Sequence, residues 1–373
     1  MEKIAWHWCQ CLRLRGRRGG GEMTVEKPKI NTMEELSAAI GVSRPTLSRY
    51  FQSPDSVRGK TSEKIRLGLE RVEYVPNFFA TRMNRKTTGI IGVIIPYLND
   101  LFFTKLLEAI EIAAMDAGFT VITQCSHSDP AIEARAAETL MSMSVDGALV
   151  APLGNESDPN VFARLGARLP FVLVDSRPKT MPNVDFVGTD HVQSTGIITE
   201  YMCRVGESPI FLAMPRVSFN AVERENAYIE KMKALGHTPI IIGTEMIDSR
   251  WLFEAHGEAV LDQYFSRGEY IDRSILCVND RVAIGAIRAA ARHGLVPGRG
   301  AKGGLRIAGH DDYPLCPFTT PALTTVAQNV EAIGKASVSR LVNMIRGEVV
   351  SGNTAGKPMV MLFDGVLKLR ESA

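Results

Sequence analysis

Side chains that can hydrogen-bond to phosphates and base edges are concentrated around residue 46. Arginine offers several donors in a planar fork, and serine and threonine hydroxyls both donate and accept, so the combination suits a polyanion with readable edges. Pro45 lies among them, where the first turn of a helix does not need its missing N–H. We expect a helix whose outer surface carries Ser43, Arg44, Pro45, Thr46, Ser48 and Arg49.

The residues before this segment have the features of a preceding helix. Thr32 and Glu35 have the spacing of a capping box, in which the hydroxyl and the carboxylate each accept from a first-turn amide. Leu36 and Ile40 follow at helical spacing, and Gly41-Val42 then supplies a turn. Two short helices around such a turn are typical of a helix-turn-helix, which places its second helix in the DNA major groove. For this segment alone, a capped helical hairpin with solvated arginines is the alternative.

A third helix is predicted over Thr61–Val72, because apolar residues recur at i, i+4 and i+7 from Ile65. The segment Tyr74–Asn77 ends it, since the residue before a proline is disfavoured in helical geometry. Three short helices can share one small core, which predicts a compact DNA-binding head. Thr32 and Asn77 are assigned to its DNA-contacting residues as well.

Beyond Gly89, short apolar runs alternate with helical stretches, a pattern typical of parallel strands buried on both faces. The runs fall into two sets, which predicts two α/β lobes with a ligand cleft outside the carboxyl ends of their strands. One intervening helix is predicted over Thr104–Asp116. The predicted strands are GIIGVIIP, TVITQC, GALVAP and PFVLVD in the first set, and SPIFLAM, TPIIIG, SILCV and LRIAGH in the second.

Polar and aromatic side chains follow these runs, where a cleft would form. Asp100, Phe102 and Phe103 follow the first run, and an aromatic face beside a carboxylate suits the apolar face and hydroxyls of a sugar. We expect one of the two phenylalanines to lie in the core instead. Asp190 follows VDFVGT and is a further candidate for contacting the ligand. Trp251 is a candidate for stacking on a sugar, with packing at a helix start as the alternative.

Several ordered motifs make residues 29–373 similar to the lactose-repressor (LacI/GalR) family of transcription regulators. They are GVS-x-x-T-x-SR, YVPN, TTGIIGVIIP, the paired phenylalanines, VDGALV, ILCVNDRVAIGA, IAGHDD and PALTTVAQN. The resemblance implies an α/β protein with an N-terminal three-helix helix-turn-helix head, a hinge and a two-lobed, periplasmic-binding-protein-like effector domain with parallel sheets. It also implies three crossings between the lobes, so that the chain near Pro321 to Ile345 returns to the first lobe.

The resemblance further implies which side chains contact the effector and the operator. The effector-contacting positions are Arg224, Asn279, Asp311 and Gln328. In the hinge, Met83 stands at the family's minor-groove leucine, and an apolar wedge of this kind unstacks bases and bends the duplex. Arg82 beside it is expected to hold a flanking phosphate. The chain departs from the family at Asp100, where asparagine is common, and at Leu101, where proline is common.

The charge distribution agrees with a head that docks on a polyanion. The 373 residues carry a net charge of only +2. Residues 1–90, however, hold an excess of eight positive charges, and the remaining 283 residues carry a net charge of −6. A basic end on an acidic body is what a DNA-binding protein of this layout needs.

Residues 1–28 are predicted to be a disordered extension, with Met23 as an alternative start of the functional chain. They contain no apolar run long enough for a signal peptide or a membrane span, and Cys9-x-Cys11 has the wrong spacing for zinc.

The other four cysteines fit reduced core positions in a cytoplasmic protein. The G-x-G-x-x-G at 298–303 precedes a strand, so a surface turn is predicted there and not a dinucleotide site.

The sequence therefore predicts a cytoplasmic, sequence-specific transcriptional regulator, a repressor, whose affinity for double-stranded operator DNA depends on a small-molecule effector, a sugar or sugar derivative. The predicted organisation is an extension at 1–28, a head at 29–75, a hinge at 76–88 and an effector and dimerisation domain at 89–373.

A homodimer is expected, since no heptad repeat for a tetramer precedes Ala373. The alternative is a solute-binding protein without a regulatory role. No nucleophile, base, metal or cofactor pattern indicates an enzyme, and both induction and co-repression remain open.

Overall fold

The computed structural model describes residues 27–77, 87–154, 156–215, 218–245, 252–298, 304–349 and 357–373. The chain divides into two compact units, Met1–Lys86 and Thr87–Ala373. Most of the N-terminal extension, most of the hinge with Arg82 and Met83, Trp251, and residues 299–303 of the glycine motif lie outside the described residues. The predictions made for them stay predictions.

Three short helices build the first unit, as the sequence predicts. They are α1 (Met33–Ile40), α2 (Arg44–Gln52) and α3 (Gly59–Glu70), and two short parallel strands, β1 (Lys29–Ile30) and β2 (Glu73–Tyr74), pair beside them. Their shared core consists of Ile30, Leu36, Ile40, Leu47 and Ile65. Helix α3 begins and ends two residues before its predicted bounds, but Val72 still packs against this core from the turn that leads to β2.

The turn between α1 and α2 depends on Gly41. Its φ of +67° lies in the left-handed region, which glycine enters without the steric cost of a Cβ. Its amide donates to the Ser37 carbonyl at 2.9 Å and so ends α1. Val42 then packs, half-buried, against the core. The turn predicted at these two residues is confirmed.

A six-stranded parallel sheet forms the first lobe of the second unit, in the order β13-β7-β6-β5-β3-β4. Its strands are β3 (Ile90–Ile95), β4 (Thr120–Cys125), β5 (Gly147–Val150), β6 (Phe171–Val174), β7 (Phe186–Thr189) and β13 (Val360–Phe363). Strands β3, β5, β6 and β7 are buried throughout, as predicted for a sheet covered on both faces. Strand β4 differs, because it is an edge strand and none of its residues is fully buried.

A four-stranded parallel sheet forms the second lobe, in the order β11-β10-β8-β9. Its strands are β8 (Ile210–Leu212), β9 (Ile241–Ile242), β10 (Ser274–Cys277) and β11 (Arg306–Ala308). Beside it, β12 (Thr325–Ala327) pairs in antiparallel fashion with β14 (Val366–Lys368). The two predicted α/β lobes with parallel sheets are thus confirmed.

Helices cover both sheets and carry the chain between the lobes. They are α4 (Leu101–Asp116), α5 (Pro130–Ser142), α6 (Pro159–Gly166), α7 (His191–Val205), α8 (Phe219–Ala234), α9 (Phe253–Phe265), α10 (Asp280–Arg292) and α11 (Val330–Ile345). Helix α4 starts three residues before its predicted position, because Asp100 caps it. Helix α11 packs against α4 and against β5, β6 and β7, so the predicted return to the first lobe is confirmed. Strand β13, which then joins the edge of that sheet, was not predicted.

Candidate nucleic-acid interface and ligand cavity

The N-terminus of α1 carries the predicted capping box. The Thr32 hydroxyl accepts from the Glu35 amide at 3.2 Å. The Glu35 carboxylate accepts from the Thr32 amide at 3.3 Å and from the Asn31 amide at 2.9 Å. The Glu35 and Thr32 amides, which helical geometry leaves without partners, are thereby satisfied together with the Asn31 amide just before the helix, and this fixes where α1 begins.

Ser43 does not cap α2 through its side chain. It occupies the N-cap position of α2, but its side chain makes no hydrogen bond to a helix amide. Instead, its hydroxyl lies 2.9 Å from the Thr46 hydroxyl. Pro45 takes its predicted place in the first turn, where its missing amide is harmless. The start of α2 therefore depends on proline geometry more than on a side-chain cap.

Helix α2 presents a cationic outer face. The exposed or half-buried residues of this face are Ser43, Arg44, Pro45, Thr46, Ser48 and Arg49. Leu47 on the opposite side is fully buried in the core. The Arg44 side chain is 60% exposed and forms an ion pair with Glu34, whose side chain is 61% exposed. An exposed pair of this kind contributes little stability, so a phosphate or base can replace the glutamate. Asn77 is exposed as well.

In the second unit, the carboxyl ends of the strands meet at a cavity between the two lobes. Seven residues selected from the sequence line it: Asp100, Phe102, Phe103, Arg224, Asn279, Asp311 and Gln328. Others that the sequence analysis did not select, among them Asp175, Asn220, Phe253 and Tyr313, line it too. The strand-end position of most of these residues explains why they converge, since parallel strands end at one edge of their sheet.

Arg224 and Asp311 form the charged centre of this cavity. From the second turn of α8, Arg224 directs Nη2 to Asp311 Oδ1 at 2.9 Å and Nη1 to the Val278 carbonyl at 3.0 Å. Its Nε donates to His191 Nδ1 at 3.4 Å. Asp311 also accepts from Gln328 Nε2 at 2.7 Å. The two charged side chains are only 7% and 9% exposed, so their geometry is fixed before any ligand arrives.

The Arg224 charge sets the pKa values of the groups around it. Burial by itself would raise the pKa of Asp311, but Arg224 and the hydrogen bonds from His310 and Gln328 hold it below its ordinary value. Burial and the same guanidinium lower the pKa of His310 to about 4 and the pKa of His191 well below its ordinary value. Both imidazoles are therefore neutral at pH 7, and Arg224 supplies the charge that balances Asp311.

Asp175 and Asn220 add a second polar group. Asp175 follows β6, and burial raises its pKa to about 7 although Arg224 opposes the shift. Asn220 lies in the first turn of α8, is 8% exposed, and its Oδ1 has no hydrogen-bond partner among the described residues. A buried acceptor without a partner suits a donor group of a ligand. The strand-end rule could have selected Asp175, which ends PFVLVD, but no sequence signal marks Asn220.

Asp100 caps α4 and reaches across to the opposite lobe. Its Oδ1 accepts from the Phe102 amide at 2.9 Å and from the Tyr313 hydroxyl. Its Oδ2 pairs with Arg281 Nη1 at 3.1 Å. Burial raises the pKa of Asp100, while Tyr313 and Arg281 oppose the shift. The carboxylate that the sequence assigned to sugar hydroxyls is therefore engaged by protein groups on both oxygens.

The two phenylalanines at the start of α4 both line the cavity and both belong to the core. Each is 7% exposed, and their rings meet edge to face with centroids 5.2 Å apart. The core includes both residues and not one of them, because this turn of α4 is itself the boundary between core and cavity. Phe253 lines the cavity from the second lobe.

Two further predicted residues cap helices. Asp190 is not among the residues that line the cavity, which corrects its assignment: its Oδ1 accepts from the amides of Val192 and Gln193, both at 2.9 Å, at the start of α7. Asn279 caps α10 through the Val282 amide at 2.9 Å, yet it also lines the cavity. Their difference is one of tertiary position, since both follow a strand and precede a helix.

The cavity combines one guanidinium, three carboxylates and three amide side chains with aromatic rings on both lobes. Groups of this kind can hydrogen-bond to several hydroxyls while the rings cover an apolar face. Within the described ranges, no cluster of His, Cys, Asp and Glu has the geometry to hold a metal ion, and no helix is long and apolar enough to span a membrane. The arrangement suits a polyhydroxylated small molecule.

Comparisons with known proteins agree with this arrangement. Residues 88–358 match the family model described as periplasmic binding proteins and sugar binding domain of LacI family. The transcriptional regulator MalR of Streptomyces coelicolor is 27% identical over 346 residues, covering 87% of this chain and 97% of MalR. The transcriptional repressor CytR of Escherichia coli is 25% identical over 339 residues, covering 87% and 92%. A lac repressor dimer bound to operator and the anti-inducer ONPF matches with a TM-score of 0.77 and 24% identity, over 93% of this chain and 99% of that one.

Proposed function

This chain belongs to the LacI family of transcriptional regulators, and we propose that it is a repressor whose operator affinity is controlled by a sugar or sugar derivative bound in the cavity of its second unit. The observation that carries the effector assignment is the buried Arg224–Asp311 pair, which lies beside the unpartnered Asn220 Oδ1 and the Phe102 and Phe103 rings. A guanidinium donates to hydroxyl oxygens, and carboxylate and amide oxygens accept from hydroxyl hydrogens.

Each polar residue of the cavity has a defined role in this proposal. Arg224 and Asp311 bind adjacent hydroxyls through charge-assisted hydrogen bonds, while Asn279 and Gln328 fix the orientation of the ring. Asp175 and Asn220 accept from a further hydroxyl. An effector that lacks one of these hydroxyls leaves a buried polar group without a partner, which is the basis of selectivity.

The first unit supplies the DNA contacts. Helix α2 enters the major groove, with Arg44, Pro45 and Thr46 facing base edges and Ser48 and Arg49 contacting bases or phosphates. Thr32 and Asn77 lie against the DNA backbone. In the hinge, Met83 wedges into the minor groove while Arg82 holds a phosphate.

Control of DNA binding by the effector is a thermodynamic coupling. If the effector and the operator favour different arrangements of the lobes, each changes the affinity of the other by the same factor. The hinge at 76–88 is the element whose order would respond.

We expect the repressor to act as a homodimer on a pseudo-palindromic site, because one small head reads only half a site. Exposed apolar side chains of the second lobe support this: Leu315 is 51% exposed and Phe318 is 82% exposed. A partner copy would cover them. Sedimentation of the Phe318→Asp protein should show dissociation into monomers with weakened operator binding. A wild-type protein that is monomeric at micromolar concentration, and still binds its operator fully, would exclude the dimer.

Two linked measurements test the proposal. Thermal unfolding of the full chain against a panel of sugars and sugar phosphates identifies the effector, since a ligand at 100 times its Kd stabilises by about 2.7 kcal/mol. Selection from random-sequence DNA identifies the operator, and fluorescence anisotropy then measures operator affinity with and without the effector. We expect Arg224→Ala to bind the operator but not to respond to the effector, and the exposed-pair control Arg288→Ala to respond as the wild type does.

Each outcome has a distinct meaning. A change of operator affinity on addition of the effector supports the proposal. A chain that binds a sugar but selects no DNA sequence is a solute-binding protein, and the regulatory proposal is then wrong.

A further inference from the structure

We propose that Asp100, Arg281 and Tyr313 form a latch that holds the two lobes of the second unit closed when no effector is bound. Asp100 lies in the first lobe, between β3 and α4. Arg281 lies in the first turn of α10, and Tyr313 follows β11, so both belong to the second lobe. The inference goes beyond the proposed function and does not depend on what the effector is.

The three side chains contact one another across the cleft with separate atoms. Arg281 Nη1 lies 3.1 Å from Asp100 Oδ2, while the Tyr313 hydroxyl donates to Oδ1 of the same carboxylate. Asp100 is 5% exposed and Tyr313 is 6% exposed, so the contact is closed to bulk water. Separation of the lobes must break both interactions together.

Arg281 is held in position by its own lobe. Its Nε and Nη2 both donate to the Glu254 carboxylate, each at 2.7 Å. Its guanidinium also lies over the Phe253 ring, 4.8 Å from the ring centroid. Because Glu254 and Phe253 already order and partly desolvate the guanidinium, little conformational entropy remains to be lost when Asp100 arrives.

Tyr313 is held just as firmly. Its amide donates to Asp280 Oδ2 at 2.8 Å, and Asp280 is fully buried. The two residues before it, Asp311 and Asp312, have φ values of +122° and +56°, which L-residues rarely adopt. Such backbone persists only where its surroundings determine it strongly. The hydroxyl is therefore presented to Asp100 by a rigid segment.

This arrangement changes the role of Asp100. Both of its oxygens are engaged by the opposite lobe, so it acts on the balance between open and closed lobes and not as a contact for the effector. The ion pair needs a carboxylate at position 100, because an amide cannot form one with Arg281. The latch is therefore a property of this chain that sets how readily the ligand-free cleft opens.

Hydrogen exchange and small-angle X-ray scattering on the ligand-free full chain test the latch. The variants are Asp100→Asn, which keeps an acceptor for the Phe102 amide, and Tyr313→Phe, which removes only the hydroxyl. Arg288→Gln is the matched control, because Arg288 also joins α10 to α9 through a glutamate, Glu258, but does not touch the first lobe. Circular dichroism checks that each protein is folded.

With a latch, amide exchange should rise at least fivefold in cavity-facing segments of both lobes, at residues 100–104 and 218–224, in both variants. The radius of gyration should increase, while strand β3 and the Arg288→Gln protein stay unchanged. Exchange that rises only next to the substituted side chain, or not at all, with an unchanged radius of gyration would overturn the proposal. The Tyr313→Phe protein keeps the test valid if Asp100→Asn fails to fold.

Discussion

The arginine proposed to read DNA in the head and the arginines at the cleft of the second unit have opposite environments. In the head, Arg44 is 60% exposed and forms an ion pair with the exposed Glu34. In the second unit, Arg224 and Arg281 are 7% and 9% exposed and are bound to buried carboxylates. An exposed cation can exchange its partner for a DNA phosphate at little cost and responds to salt. A buried cation has fixed partners. It can therefore orient groups in a ligand site, and its removal costs stability.

The largest effect on stability should follow from removing a buried cation. Arg224→Ala leaves Asp311 as a buried charge without compensation, which should lower the free energy of unfolding of the second unit by about 3–5 kcal/mol. Arg288, with a side chain 71% exposed, is the control, and its change to alanine should cost at most about 1 kcal/mol. Urea unfolding followed by circular dichroism at pH 7 measures both. Equal losses would remove the distinction between buried and exposed arginines.

A second effect should appear in the pH dependence of stability. The pKa of Asp175 rises from 3.8 to about 7 on folding, so the folded state holds this proton more tightly. The stabilisation that comes from this tighter proton binding is fully present below pH 4 and is lost as the pH rises to 7. Above pH 7 it does not change further. The depressed pKa of Asp311 acts in the opposite sense and only below about pH 4.

Asp175→Asn should therefore be more stable than the wild type at pH 8 by on the order of 2–4 kcal/mol, since one pKa unit corresponds to about 1.4 kcal/mol. The two proteins should be equally stable at pH 4. The pKa of Asp280 is also raised to about 7, and this residue is present in both proteins. Its effect on the pH dependence of stability should therefore be similar in the two and serves as an internal reference. A gain that is the same at both pH values would indicate better packing and not ionisation.

In the head, the expected effect is on DNA recognition and not on folding. Arg44→Ala should weaken operator binding by roughly 1–3 kcal/mol, relax base preference at one position and leave thermal stability unchanged. The control is Arg66→Ala, an exposed arginine on α3 that pairs with Glu63 and Glu70. Competition among operator variants measures the preference. If both variants behave alike, α2 is not the helix that reads bases.

The smallest effect distinguishes the two helix starts of the head. Thr32→Ala removes a real cap and should destabilise α1 by about 1 kcal/mol. Ser43→Ala removes a hydroxyl that contacts only Thr46, so it should have a clearly smaller effect. Hydrogen exchange of the α1 and α2 amides in the full chain measures both. A Ser43→Ala loss as large as that of Thr32→Ala would mean that the hydroxyl does cap α2 in solution.

Features that depend on residues close together in the sequence were predicted correctly, and features that depend on distant residues were not. The capping box, the Gly41 turn and strands β3 to β6 and β8 to β11 are each marked by residues within a few positions of one another, and all of these were predicted, whereas β13 was not. Asp190 and Asn279 have the same local context, a strand before and a helix after, yet only Asn279 lines the cavity. Local sequence predicts the cap in both and cannot distinguish them by position in space.

The sequence by itself determined the three-helix head, the two α/β lobes and seven of the residues that line the cavity, because periodicity, capping and strand-end position act locally. Only the tertiary structure decided that the Asp100 carboxylate pairs with Arg281 and accepts from Tyr313. It also decided that Asn220 lines the cavity with its Oδ1 unpartnered among the described residues. Arg281 is 181 positions from Asp100 and Tyr313 is 213 positions from it. Contacts over such separations follow from how the two sheets and their crossovers pack, which no short stretch of residues encodes.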